Sequence, residues 1–305
     1  MERRRRLHPR RPRGTVVAVL LALLSAVLFG AMTVALRFGL PGRGDPEVGA
    51  FVMTGIAALV AVAAVLVEPG ADPLANPREL GLFALAGVLA PGLSQAFFTR
   101  AVRDAGPSRS SVVVGSAPLF AVAIAIVVLN EPVQPPLLVG AVLIVLAGVV
   151  LAGESSRPAH VKVIGIVFAL VTTLLFSTRD NLVRHFAGDA KIGSVAAAAA
   201  ALGVAALGMA IYVAVARRGR LRASLAELNG RPLVLAGLLF GLSYVFLFEA
   251  YYRARVSVVS PLVATESLWG VLLSALFLST ELVGVRLVLA AVLVVSGGVL
   301  IGVFR

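Results

Sequence analysis

The sequence predicts an all-α integral membrane protein with ten transmembrane helices built as two inverted five-helix repeats. Three observations predict it. Of 305 residues, 59% are apolar and only 14% charged, and the mean hydropathy is +1.00, a composition outside the range of soluble globular domains. The apolar residues fall in runs of about 20, the helical length that crosses a hydrocarbon core about 30 Å thick. The two halves of the chain also resemble each other. Backbone polar groups in lipid must be paired internally, which leaves helices or closed barrels; runs without period-two alternation select helices.

Taken in order, the first run covers 15–37. It follows a basic tail, 1–14, that holds Arg3, Arg4, Arg5, Arg6, Arg10, Arg11 and Arg13. A basic tail before an apolar stretch has the outline of a signal peptide, but this run has a counterpart in mid-chain and is read as a retained helix. The second and third runs, 48–67 and 80–101, follow the punctuated turn Pro41-Gly42-Arg43-Gly44-Asp45-Pro46 and its successor. Runs 107–129 and 134–152 meet at Asn130-Glu131-Pro132 and complete a first repeat, 15–153. A connector, 154–160, leads to a second repeat, 161–305, with runs at 161–185, 191–216, 232–253, 256–279 and 283–304. Glu131 and Glu281 each precede a helix, where a carboxylate meets the positive end of the helix dipole. Pro91, Pro118 and Pro261 lie inside runs, where they loosen helices.

The repeat is readable residue by residue. Ala22-Leu23 through Leu28-Phe29 to Arg37 aligns on Ala169-Leu170 through Leu175-Phe176 to Arg184. Gly92-Leu93-Ser94 and Ala101 fall on Gly241-Leu242-Ser243 and Ala250, and Gly148-Val149 on Gly298-Val299. Five helices per half is an odd number, so the second half enters the membrane from the opposite face. Inverted repeats of this kind are common in secondary transporters, whose substrate sites lie near the midplane between the halves.

On the Phe29-Gly30 stretch ending at Arg37, the Asn130-Glu131-Pro132 turn and the Ser279-Thr280-Glu281-Leu282 turn, the chain resembles the EamA-type transporters of the drug/metabolite transporter (DMT) superfamily. The resemblance implies a ten-helix carrier with a central cavity, often an exporter of amino acids, other metabolites or toxic compounds, with protons as a candidate coupling ion. Two departures are visible: no Gly precedes Glu281, and the second run lacks the Arg often found there. Lys and Arg divide evenly between the two faces; the compact basic tail and the family pattern place both termini in the cytoplasm, in the plasma membrane.

Charges inside the spans single out a site, because each is costly in hydrocarbon unless paired or facing water. These are Arg179, Asp180, Glu249 and Glu266. A carboxylate at Glu266 or Glu249 would exchange a proton for a substrate cation, and Arg179 would orient a substrate carboxylate. Asn181, Tyr244 and Gln95 would add hydrogen bonds, and Trp269 with Tyr244 would line the pocket. The structural alternative pairs Asp180 with Arg184 and Glu249 with Arg253 along one helix face, and Arg179 with Glu266 between helices. Tyr251 and Tyr252 read as membrane-interface anchors. Gly237, Gly241, Gly298, Gly302 and the alanine run 196–201 permit close helix packing, with a homodimer as a second use.

Other function classes find little support. There is no cysteine, no GxSxG or HExxH motif and no GxxxxGK[ST] loop, so the reading is not an enzyme, holds no metal or cofactor and is not an ATP-driven pump. The net charge of +12 sits at membrane interfaces and does not indicate nucleic acid. The partners expected are a small-molecule substrate, protons and the lipid bilayer; a non-transporting scaffold or sensor is the alternative.

Overall fold

The computed structural model describes residues 12–41, 44–68, 76–120, 135–152, 162–188, 190–254, 256–278 and 283–304, and every regular element among them is helical. In chain order these are α1 (Pro12–Gly39), α2 (Pro46–Val67), α3 (Pro77–Gly87), a π-helical segment (Val88–Leu93), α4 (Ser94–Ala105), α5 (Pro107–Val114), a helical stretch at 117–120, α6 (Pro135–Ala152), α7 (Val163–Ala187), α8 (Ser194–Ala216), α9 (Leu221–Ala226), α10 (Gly230–Arg253), α11 (Val256–Val263), α12 (Glu266–Phe277) and α13 (Val285–Phe304). The Glu131 and Glu281 turns and the 154–160 connector lie outside the described residues. α1 begins at Pro12, within the expected basic tail.

Among the described residues, six helices are long and apolar enough to cross a membrane: Val16–Gly39, Pro46–Val67, Pro77–Ala105, Val163–Ala187, Ser194–Ala216 and Gly230–Arg253. The sequence led us to expect ten unbroken runs; two of the other four are interrupted among the described residues. The fourth run is interrupted at Gly115-Ser116 and the ninth at Ala264-Thr265. The fifth and tenth contain shorter apolar helices, Leu138–Leu151 and Val285–Ile301. Large apolar side chains such as Leu59, Leu66 and Val215 are exposed around the bundle. Lipid is the solvent that suits them.

Local chemistry starts the helices. Asp45 accepts hydrogen bonds from the backbone N–H groups of Glu47 (3.0 Å) and Val48 (3.4 Å), with Pro46 at the first helical position of α2. Asn76 and Glu79 cap the start of α3 reciprocally, a local version of the capping box.

Small residues set the helix contacts. α1 lies along α10, and α6 crosses α13 where Gly140 and Gly297 face each other; a Cβ on either would come within 2.7 Å of the other's carbonyl oxygen. Gly237 and Gly241 seat α10 on Ile56 and Ala57 of α2, and Gly87 seats α3 on Ala201 of α8. The glycine and alanine stripes therefore serve packing within the chain. Buried hydroxyls then clasp the repeat-related pairs: Ser25 of α1 and Ser243 of α10 donate to each other's carbonyls (2.9 and 3.0 Å), and Thr172 of α7 donates to the Ser94 carbonyl of α4 (3.4 Å). Ser25 and Thr172 are equivalent positions in the alignment of the halves, as are Ser243 and Ser94.

Candidate functional site

The two interruptions share a design. Gly115-Ser116 falls on Ala264-Thr265 in the register that places Gly92 on Gly241. In both, the hydroxyl turns back to the carbonyl three residues earlier, Ser116 Oγ to Val113 O and Thr265 Oγ1 to Leu262 O, each at 2.6 Å. A proline adjoins each turn, Pro118 after the first and Pro261 before the second, and Pro91 lies in the π segment, where Ala90 leaves helical geometry. All three prolines thus mark interruptions. Ser177 Oγ of α7 binds the freed Ala117 carbonyl at 2.8 Å, which holds the first interruption against α7.

Between the interruptions lies a small cavity of about 30 Å³, room for roughly one water molecule. Its walls come from both halves: Ser25 and Phe29 of α1, the 114–118 stretch, Arg179 and Asp180 of α7, Ser243 and Tyr244 of α10, and Glu266 at the start of α12. Arg179 is 3% exposed. Its guanidinium is stacked between the rings of Tyr244 (4.8 Å) and Phe176 (5.2 Å), and its Nε lies 2.8 Å from Asp180 Oδ1. The angle of that ion pair does not make a hydrogen bond, so Nε, Nη1 and Asp180 Oδ1 have no hydrogen-bond partner among the described residues, and neither has the Tyr244 hydroxyl. Buried donors in that condition are costly until a ligand or water meets them.

Four of the eight candidate residues therefore converge: Arg179, Asp180, Tyr244 and Glu266. The other four do not. Glu249 is bonded to Arg253 on its own helix and to Ser194 Oγ of α8, so it ties α10 to α8 outside the cavity. Asn181 Nδ2 bonds the Ser177 carbonyl of its own helix at 2.8 Å. Trp269 packs where α12 crosses α1; a Cβ on Gly30 would meet its Cβ at 2.8 Å. Gln95 is fully buried on α4, with neither amide atom hydrogen-bonded among the described residues. It is the repeat equivalent of Tyr244 and lies outside the cavity lining.

Two further expectations need correction. Asp180 pairs with Arg179 rather than Arg184, whose Nη1 approaches the Tyr251 carbonyl at 3.5 Å. Tyr251 is fully buried in the core and anchors no interface. Arg109, inside the expected fourth run, is 1% exposed within α5, which begins at Pro107.

Reasoning from sequence missed a charged network at one end of the bundle. Glu47 at the start of α2 bonds Arg100 of α4 and Arg217 beyond α8 (2.8 Å), and Arg217 also meets Asp45 at 2.5 Å. The hydrogen bond to Asp45 raises the Arg217 pKa above its ordinary value. Nearby, Asp104 pairs with Arg103 (3.0 Å) and Lys162 (3.6 Å), and Arg37 donates to the Arg103 carbonyl. The network was hidden because its members are far apart in sequence.

Residues 16–153 and 163–303 each match the model of the EamA-like transporter family. A crystal structure of a protein 20% identical in sequence superposes with a TM-score of 0.61, covering 95% of this chain and 96% of its own; it shares the fold. No curated protein matches the chain.

Proposed function

The chain belongs to the EamA-like transporter family of the DMT superfamily, a family of membrane transporters, and on that premise we propose that it is a ten-span secondary transporter of small zwitterions or amines. Its halves are inverted repeats that rock about the cavity between the two interrupted helices, with both termini in the cytoplasm. The observation that carries the reading is the convergence, inside this cavity, of the buried donors of Arg179 and Tyr244 with the acids Asp180 and Glu266.

The chemistry follows from those four groups. The fork of Arg179, fixed between two rings, suits a substrate carboxylate, and Tyr244 adds a hydroxyl donor. The cavity lining holds two acids against one arginine, and an uncompensated buried charge is expensive. Closing the cavity therefore requires one added cation, either a proton or a substrate ammonium group. Exchange of one for the other at Glu266 couples export to proton entry. A cavity of about 30 Å³ has room for roughly one water molecule, so it must open before cargo enters.

The way out runs along small and hydroxyl-bearing residues. A Cβ on Gly270 would meet Ser111 Oγ at 2.2 Å and Thr33 Oγ1 at 3.8 Å, and one on Gly115 would meet Ser267 Oγ at 3.0 Å. Ser108, Ser111 and Ser274 hydroxyls along this seam have no hydrogen-bond partner among the described residues, and separation of the halves would hydrate them.

The test is counterflow and pH-gradient-driven uptake into proteoliposomes, run across a panel of amino acids and amines. Glu266→Gln is expected to abolish proton-driven transport and Arg179→Lys to lower it at least tenfold, while Glu249→Gln keeps most of the rate. Wild-type rates in both cavity variants would overturn the site. A wild-type rate that ignores the pH gradient would overturn the coupling alone.

A further inference from the structure

A second and larger hollow lies on the flank of the bundle, apart from the polar cavity. It is a groove of about 580 Å³, walled by Val88, Gly92 and Ala96 of the π segment and α4 on one side and by Val204, Gly208 and Tyr212 of α8 on the other. That volume falls within the range of small-molecule pockets, roughly 300 to 1,000 Å³. Its origin is visible in the helices. Gly87 locks α3 to α8, since a Cβ there would come within 2.3 Å of the Ala201 carbonyl oxygen. Past that contact Ala90 leaves helical geometry (φ −146°, ψ 120°), and α4 beyond the π segment no longer follows α8. Gly208 on the facing wall has nothing within 4 Å of a Cβ position.

The groove is apolar over most of its length and changes character at one end, where Arg100 and Tyr212 line it. Arg100 bonds Glu47, and Arg217 bonds the same carboxylate, which brings the end of α8 to this mouth. Arg218, Arg220 and Arg222 follow directly and are exposed. Asp45 and Glu47 are already engaged by Arg100 and Arg217, and Glu227 is the sole acid in the 217–229 segment. Surplus positive charge thus follows α8 directly, at the end where Arg100 and Tyr212 line the apolar trough. Interfacial arginines attract anionic headgroups, and a tyrosine at the same level suits the headgroup boundary.

We propose that this groove holds one acyl chain of an anionic phospholipid, whose headgroup is bound by Arg218, Arg220 and Arg222. The lipid seals the gap opened at Ala90 and tethers the end of α8. The annular bilayer supplies such lipids, so no other partner is required.

Native mass spectrometry of the purified full chain, titrated with dioleoyl phosphatidylglycerol or dioleoyl phosphatidylcholine, tests the assignment. The wild type is expected to retain one phosphatidylglycerol at several-fold higher occupancy than phosphatidylcholine. Gly208→Phe fills the trough and should cut that occupancy at least tenfold. Gly203→Phe, at a position equally open on α8 and outside the groove lining, should leave it unchanged. Replacing Arg218, Arg220 and Arg222 with Ser should equalise the two lipids. Should the phenylalanine impair expression, Gly208→Cys fills the same space after reaction with a bulky maleimide, the native chain having no cysteine. Wild-type retention after the groove is filled, equal retention of the two lipids by the unaltered chain, or Gly208→Cys crosslinking to a second copy would each overturn the proposal.

Discussion

Tyr244 separates ligand binding from stability more cleanly than any other side chain in the cavity. Its ring stacks on Arg179, while its hydroxyl is buried without a partner among the described residues. Tyr244→Phe keeps the ring and removes an unsatisfied group, a change that costs nothing in the empty protein and can stabilise it. Toward a charged substrate the lost hydrogen bond is worth about 1.5–3 kcal/mol, or roughly ten- to hundredfold in affinity. The expected outcome is an unchanged or higher Tm with a raised KM, checked by thermal unfolding and uptake on one preparation; a fall in Tm with KM unmoved would make Tyr244 a packing residue. Half of the residues singled out in sequence converge on the candidate cavity, because the cost of charge in lipid makes Arg179, Asp180 and Glu266 conspicuous wherever they point. Glu249 and Trp269 were equally conspicuous, but their direction is decided by neighbours from other helices, Ser194 and Gly30, which spacing does not reveal.

Interhelical distance is set by a few glycines whose importance differs sharply between sites that look alike in sequence. Gly87 and Gly55 both lie in apolar helices, yet a Cβ on Gly87 would stand 2.3 Å from a backbone oxygen of α8, whereas one on Gly55 meets nothing within 4 Å. Gly87→Ala forces α3 and α8 apart and should cost about 1–3 kcal/mol, the usual cost of overpacking. Gly55→Ala relieves a helix of a flexible residue and should gain about 0.5–1 kcal/mol. Thermal unfolding in detergent should therefore move in opposite directions for the two, and a parallel shift would contradict the packing described. Six long helices were readable from length and hydropathy. The interruptions of the fourth and ninth runs were only half readable: Pro118 and Pro261 announced loosening, but the paired turns at Gly115-Ser116 and Ala264-Thr265 emerge only when the repeat register is carried onto the backbone. At each break the backbone N–H of Ser116 or Thr265 bonds the carbonyl three residues back, and the hydroxyl of the same residue backs that bond; groups kept paired in this way make such turns tolerable in mid-span.

Orientation is the property for which a whole-molecule argument is required, since Lys and Arg divide evenly between the two faces and local counting returns no answer. The repeat supplies the missing constraint. If the halves are inverted, equivalent positions must face opposite sides of the membrane, whichever way the protein inserts. Phe38 and His185 follow the aligned pair Arg37 and Arg184, and both are exposed at the ends of α1 and α7. Because the chain has no native cysteine, Phe38→Cys and His185→Cys each create a single reactive thiol. With cytoplasmic termini, a membrane-impermeant maleimide added to intact cells should label residue 38 and reach residue 185 only after permeabilisation. A second pair on one helix, Lys191→Cys and Arg218→Cys at the two ends of α8, should divide the same way, with 218 outside. The four sites together distinguish two kinds of failure. Reversal of every site would preserve the inverted repeat and turn the protein over, moving the arginine-rich rim of the groove to the cytoplasmic leaflet. Labelling of 38 and 185 from the same side would instead break the inversion itself, and with it the reason for placing a transport site between the two interrupted helices.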